Sequence, residues 1–230
     1  MELGPIPGYL KDSMRKHFLA GLRGHRSLEI YELDLFRWFR NETEETWTKM
    51  EAEEQEYIQE QVSAGAEEIN DSGVVAVGYY RKRARYSHVI FVASLLESAI
   101  KRECDRLSTA LGDKILFKPS ELKGDPWSAR KTYLERHGSF ETPDDLWSPI
   151  KNLLALRNAL VHHNGERLSL TKEQISALGK IAGVDVTHSE IGVEAAYLDQ
   201  ATESVGKLME FVHERTNSVI DRAVKPQAVK

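Results

Sequence analysis

The sequence predicts an all-α fold. Apolar residues recur at spacings of three and four along most of the chain, residues that start and stop helices bracket those stretches, and period-two alternation is nearly absent. The chain has 230 residues, of which 41% are hydrophobic and 29% charged. That is enough for one substantial core with an addition, and too apolar for a disordered chain.

The elements follow in order. Met1 to Gly8 holds two prolines and two glycines and reads as an irregular lead-in. Helices are expected from Tyr9 to about Gly24 and from Ser27 to about Asn70. The second is marked by Leu28, Tyr31, Leu35, Trp38 and Phe39, then Trp47, Met50, Tyr57, Ile58 and Val62, with a break near Asn41 left open. "NDSG" at 70–73 is a stop. A long helix follows from Val74 to Leu111; apolar around most of its circumference between 89 and 100, it fits the buried centre of a bundle. Residues 112–124 have turn formers and no period, and read as a loop. Asp125 before Pro126 is an N-cap with proline in the first turn, starting a short helix to about His137. The next helix takes Thr142 or Asp144 as its cap, becomes regular close to Pro149, and stops at Asn164-Gly165. "SLTKEQISALGKIAG" is a short capped helix and "VDVTHSEIGV" a small hairpin or loop. An amphipathic helix from Val193 to about Ala223 closes the chain before a frayed tail. The expected organisation is an N-terminal helical extension over 1–73, a helical domain over 74–222 and a flexible tail over 223–230.

The formal net charge is −5, which by itself argues against a polyanionic partner. Its distribution changes that reading. Residues 41–71 hold eleven acids against one base, Lys49, so the remainder carries 30 bases against 25 acids. A mildly basic domain with an acidic helix excludes neither RNA nor a protein partner. Cys104 is the single cysteine and cannot form an intramolecular disulfide; with no leader sequence, a cytoplasmic setting is expected. No apolar run approaches the ~20 residues that span a bilayer.

One stretch stands out: "LLALRNALVHHNGE", 153–166. With Arg157 at zero on a wheel of about 100° per residue, Leu146, Ile150, Leu153, Leu154, Leu160 and Val161 fall within about 60° of it, which puts an arginine in mid-stripe. A guanidinium there needs acceptors, or an opening to solvent or ligand. Asn158 and His162 are four apart and share a flank. The C-terminal dipole favours protonated His162 and His163. A histidine near neutrality suits acid and base work on a phosphodiester, and an arginine can grip its phosphate bidentately. RNA carries its own nucleophile, the 2′-hydroxyl, so that chemistry needs no metal.

"RNALVH", Arg157 to His162, resembles the R-N-x-x-x-H motif of the higher eukaryotes and prokaryotes nucleotide-binding (HEPN) superfamily, at the end of a bundle helix as in that family. "YSHVIFVASLLESAIKREC", 86–104, is similar to the core helix that precedes the motif there, and 193–222 to the closing helix; the resemblance covers roughly 74–222. It implies a HEPN-type helical bundle and a homodimer with a composite active site, acting as a metal-independent endoribonuclease in a toxin, antiviral defence or stress-response role. Arg157 would position the phosphate and stabilise the transition state, His162 would act as general acid/base, and Asn158 would orient both. Products would carry 2′,3′-cyclic phosphate and 5′-hydroxyl ends. One subgroup carries a modifiable tyrosine two places after the histidine; Asn164 stands here, so that control does not transfer. A regulatory protein partner remains open.

Other readings stand beside this one. Arg157 can be a structural tether, paired with Glu97, in a non-catalytic dimerisation or interaction module whose acidic helix binds a partner. His163 reads as a surface residue and His88 as core or interface. "RKRAR", 81–85, is either an RNA-contacting patch or a solvated face. Trp38, Trp47, Trp127 and Trp147 fit helical packing better than base stacking. Adjacent His162 and His163 diverge by about 100° on a helix, and no zinc signature, Gly-rich phosphate loop or nucleophile elbow is present, so no metal or cofactor is expected.

Overall fold

Helix α1, Leu28–Ser63, opens the described part of the protein. The computed structural model describes residues 28–224; the expected lead-in over 1–8, the expected helix over 9–24 and residues 225–230 of the expected tail lie outside them, and Ala223 and Val224, expected in that tail, belong to the last helix. α1 runs through Asn41 without a break. Thr43, Thr46 and Thr48 donate their hydroxyls to the carbonyls four residues back, so these residues, which elsewhere compete with the backbone, stay within the helix. α2 spans Ser72–Leu111, α3 Pro126–Gly138, α4 Asp144–His162, α5 Lys172–Leu178 and α6 Ala195–Val224. Strand content among the described residues is one two-residue antiparallel pair, β1 (Val184–Asp185) with β2 (Gly192–Val193), and an isolated bridge between Glu166 and Glu190. The protein is all-α. No described helix is long and apolar enough to cross a membrane.

The local signals act as expected at most helix ends. Asp125 accepts from the backbone N–H groups of Trp127 and Ser128 at 3.0 and 3.1 Å, with Pro126 in the first turn of α3. Thr171 and Gln174 form a capping box at α5. Asn164 and Gly165 both take positive φ, 52° and 74°, and end α4. α4 begins at Asp144, ahead of the start expected near Pro149, because proline disturbs only the first turn before it. The loop over 112–124 contains two single 3-10 turns, Gly112–Lys114 and Pro119–Glu121.

The described residues form two compact units, to which α2 and α6 each contribute one part of their length. The first comprises 28–30, 96–144 and 207–224. Its core is built from Ile100, Cys104 and Leu107 of α2, Tyr133 and Leu134 of α3, and Leu208, Val212 and Ile220 of α6. Burial pushes the Cys104 thiol up to about 12. A polar cluster crosses this core: Arg106 donates to both oxygens of Glu103 at 2.8 and 2.6 Å and to Asn217, and His213 Nδ1 lies 2.9 Å from Glu103.

The second unit comprises 31–95 and 145–206. Leu33 and Phe36 of α1, Tyr86, Val89 and Val92 of α2, Leu153 and Leu156 of α4, Ile191, and Leu198 and Val205 of α6 are buried there. α1 and the start of α2 form an antiparallel hairpin. Arg81 reaches Glu44 and Glu51, and Arg85 reaches Glu44, so one arm descends as the other climbs.

Candidate functional site

The face of α4 that carries Arg157 is set by which apolar positions pack. Ile150, Leu153, Leu156, Ala159 and Leu160 are buried, whereas Leu146 and Leu154 are half-buried and Val161 is 43% exposed. The buried arc is therefore centred about 65° away from Arg157. Arg157 stands at the edge of the stripe and not in its middle, which corrects the wheel. There it is half-buried, with Asn158 and His162 exposed beside it. At the edge the guanidinium keeps part of its hydration, so the desolvation cost is smaller than at a stripe centre.

Among the described residues, the guanidinium of Arg157 donates one hydrogen bond, from Nη1 to Asn158 Oδ1 at 3.1 Å, and forms no ion pair. Glu97, the carboxylate expected as its tether, is held instead by Arg130 at 2.9 Å. Asn158 and His162 share a flank about 40° apart, and His162 is the last residue of α4. His163 is half-buried and belongs to the turn: its N–H donates to the Ala159 carbonyl at 3.1 Å, and its carbonyl accepts from Glu166 at 2.8 Å. The structure thus brings Arg157 to Asn158 directly, leaves His162 on the same outward side, and sets His163 apart.

What holds the end of α4 was not visible in the sequence. Arg83 Nη1 donates to the carbonyl of Asn164 at 3.2 Å and to its Oδ1 at 3.3 Å, while Nη2 is bound by Glu190 at 2.5 Å. The same guanidinium lies over the rings of Tyr79 and Tyr86, 5.1 and 5.3 Å from their centroids. Lys82 also binds Glu190, at 2.9 Å, and its ammonium, with Arg83 behind it, holds that carboxyl below the usual glutamate range. Tyr86 donates its hydroxyl to the Ile191 carbonyl, and burial pushes that hydroxyl up to about 12. Gly165 has to be glycine on two counts: its φ is +74°, and a Cβ would meet the Tyr86 ring and hydroxyl at 2.6 to 2.9 Å. The segment after α4 is pinned further by Ile191 N–H to Gly165 at 2.8 Å and Arg167 N–H to Ser189 at 2.9 Å.

The basic run 81–85 is accordingly neither a free cationic patch nor a solvated face. Arg81 pairs with Glu44 and Glu51, Lys82 and Arg83 with Glu190, and Arg85 with Glu44. Glu44 receives two guanidiniums: burial raises its pKa, and Arg85 and Arg81 outweigh that and hold it below the usual carboxylate range. The tryptophans divide. Trp47, Trp127 and Trp147 are half-buried, but Trp38 is 64% exposed, which corrects its assignment to packing. His88 is buried, as expected. Among the described residues, no group of three or more His, Cys, Asp or Glu side chains is arranged to hold a metal ion.

These features define an all-α protein with one arginine, one amide and one imidazole presented together on the outward side of a helix end. No protein-family model, no curated protein and no solved structure matches the chain.

Proposed function

We propose that this chain is a metal-independent endoribonuclease of the HEPN type, acting as a homodimer in a toxin, antiviral defence or stress-response role. One observation carries the reading over a structural tether: Arg157 has no carboxylate partner among the described residues and is steadied only by Asn158, next to exposed His162. A guanidinium in that state is available to a phosphate, which it can meet with two parallel N–H groups.

The chemistry follows from the groups. The 2′-hydroxyl of RNA loses its proton to a base and attacks the adjacent phosphorus, and the bond to the 5′-oxygen breaks as that oxygen takes a proton from an acid. Arg157 offsets charge on the non-bridging oxygens as the phosphorane forms. His162 moves the protons. One imidazole cannot be base and acid in the same step, so two motif copies, one from each protomer, supply the pair. Asn158 holds the guanidinium through its Oδ1. The products are a 2′,3′-cyclic phosphate and a 5′-hydroxyl.

The test is incubation of the purified full chain with single-stranded RNA in excess EDTA, with product ends read by mass spectrometry. Cyclic phosphate ends from wild type, absent with Arg157→Ala and with His162→Ala, are the expected result. Intact RNA from a folded, dimeric wild type would overturn the reading, as would cleavage that survives both substitutions.

A further inference from the structure

The outward face of α1 is unusual for a surface that meets only water. Tyr31 is 57% exposed, Leu35 50%, Trp38 64% and Phe39 55%. On the helical wheel these four fall within about 60° of Leu35, so they form one stripe. α2 continues the stripe. Leu35, Phe36 and Phe39 of α1 and Ala84, Ser87, His88 and Phe91 of α2 line a groove of about 780 Å³, with Phe91 itself 43% exposed. The His88 ring centroid lies 5.3 Å from that of Phe36 and 6.4 Å from that of Phe39, and its buried Nδ1 has no hydrogen-bond partner among the described residues. The exposed parts of Tyr31, Leu35, Trp38, Phe39 and Phe91 amount to roughly 500 Å² of largely apolar surface, at the upper end for a patch without a partner. Tryptophan, tyrosine and phenylalanine are also the residue types that concentrate where proteins bind one another.

The charge of the same face says what kind of partner fits. Glu32 borders the groove. Farther along α1, within the same 60° or so of arc, Glu42, Glu53, Glu56 and Glu60 are exposed, and Lys49 is the one base among them. That lysine lies 3.8 Å from Glu53. The face is thus aromatic over its first turns and anionic over the rest. An anionic surface repels RNA and a second copy of itself, and complements lysine and arginine.

We propose that this face of α1, with its groove against α2, is the docking surface for a basic amphipathic helix of a partner protein. The partner's apolar side chains enter the groove between Leu35, Phe39 and Phe91, in the helix-in-groove mode, and its basic residues lie along Glu42, Glu53 and Glu56. The sequence alone singled out the acidic helix as a place for a partner; the aromatic stripe and the groove define which part of it docks and what chemistry it takes.

The test uses the full chain and a fluorescent peptide of about fourteen residues, leucine and lysine in helical order. Two matched peptides serve as controls, one with glutamate for lysine and one in scrambled order. Anisotropy is expected to show binding of the ordered basic peptide alone, weakened by salt and by at least tenfold in Trp38→Ala, in Phe39→Ala and in the double charge reversal Glu42→Lys/Glu53→Lys. These side chains are exposed, and unchanged thermal melts verify that the variants fold. Equal binding of the acidic or scrambled peptide, or indifference to the three variants, overturns the proposal. So does self-association of wild type that Trp38→Ala abolishes, which makes a second copy the occupant. Removal of residues 1–26 that by itself raises peptide affinity tenfold or more assigns the face to the chain's own N-terminal segment, and overturns it equally.

Discussion

Replacing Arg157 with alanine separates a catalytic arginine from a tether, because the structure sets very different costs for the two. Among the described residues, Arg157→Ala gives up one hydrogen bond, to an exposed asparagine, and no ion pair. At a half-exposed position that is worth up to about 0.5 kcal/mol. For a chain of this size about 1 kcal/mol shifts the melting temperature by roughly 2–4 °C, so Arg157→Ala is expected to melt within about 2 °C of wild type.

Arg106 provides the scale. Its guanidinium is bound by both oxygens of Glu103, which is 3% exposed, and by Asn217. Arg106→Ala removes the bidentate partner of a buried carboxylate and leaves it His213 Nδ1 at 2.9 Å, at about 3–5 kcal/mol, and lowers the melting temperature by roughly 6–20 °C. The assay is calorimetry on the three proteins beside initial rates of RNA cleavage. Arg157→Ala is expected to keep its melting temperature and lose about 100- to 1,000-fold in rate, the cost of removing one group that stabilises transition-state charge. A melting temperature lowered as far as that of Arg106→Ala would show that Arg157 holds the fold together. An unchanged rate with an unchanged melting temperature would remove Arg157 from the chemistry altogether.

Two further outcomes follow from the same geometry. Gly165→Ala forces a side chain into positive φ and against the Tyr86 ring; the left-handed conformation alone costs about 1 kcal/mol and displacing the tyrosine adds about 1–3 kcal/mol. Its melting temperature is expected to fall by roughly 4–16 °C, and a fall under 2 °C would mean that the turn after α4 relaxes freely. Burial lowers the pKa of His88, so the unfolded chain takes up a proton there before the folded one does. Stability is then lost as pH falls below the ordinary histidine range, and His88→Phe is expected to flatten the melting temperature between pH 7 and the folded-state pKa; an unaltered slope would show that His88 is not the group responsible.

The fold was legible wherever the deciding information is local. Asp125 and Pro126 start α3 because cap and ring act within one turn, and Asn164-Gly165 ends α4 because both positions demand positive φ. The candidate site was legible in composition but not in setting. Six apolar residues surround Arg157 on the wheel, yet packing partners elsewhere in the chain decide that Leu156 and Ala159 are buried while Val161 is exposed. No period in α4 contains that choice. The same holds for the basic run: Arg85 meets Glu44 41 residues away and Arg83 meets Glu190 107 residues away, and neither pairing leaves a trace in local spacing. Trp38 failed for a related reason, since helical periodicity shows that residues share a face and not whether that face is covered.

The pairing of the basic run changes what electrostatics can contribute to RNA binding. A free "RKRAR" on each of two protomers, with the two motif arginines, would place about ten cations against phosphate, and at about −0.7 per neutralised phosphate the affinity for single-stranded RNA would fall with a slope near −7 in log K against log salt. In this structure Arg81, Lys82, Arg83 and Arg85 already face Glu44, Glu51 and Glu190. Bringing them to a phosphate would first uncover those carboxylates, which then repel it. Of that set, Arg157 is the one without a carboxylate partner among the described residues, and for the proposed homodimer the slope expected from its two copies is about −1.4. Anisotropy titrations of His162→Ala, which on the proposed mechanism would bind RNA without cutting it, across 50 to 300 mM salt or so would measure it. A slope steeper than about −4 would show that the ion pairs of α2 open on RNA, and that the hairpin of α1 and α2 is part of the nucleic-acid surface. A shallow slope leaves recognition to the few groups at the end of α4, and makes the acidic face of α1 a surface that RNA avoids and a basic protein can use.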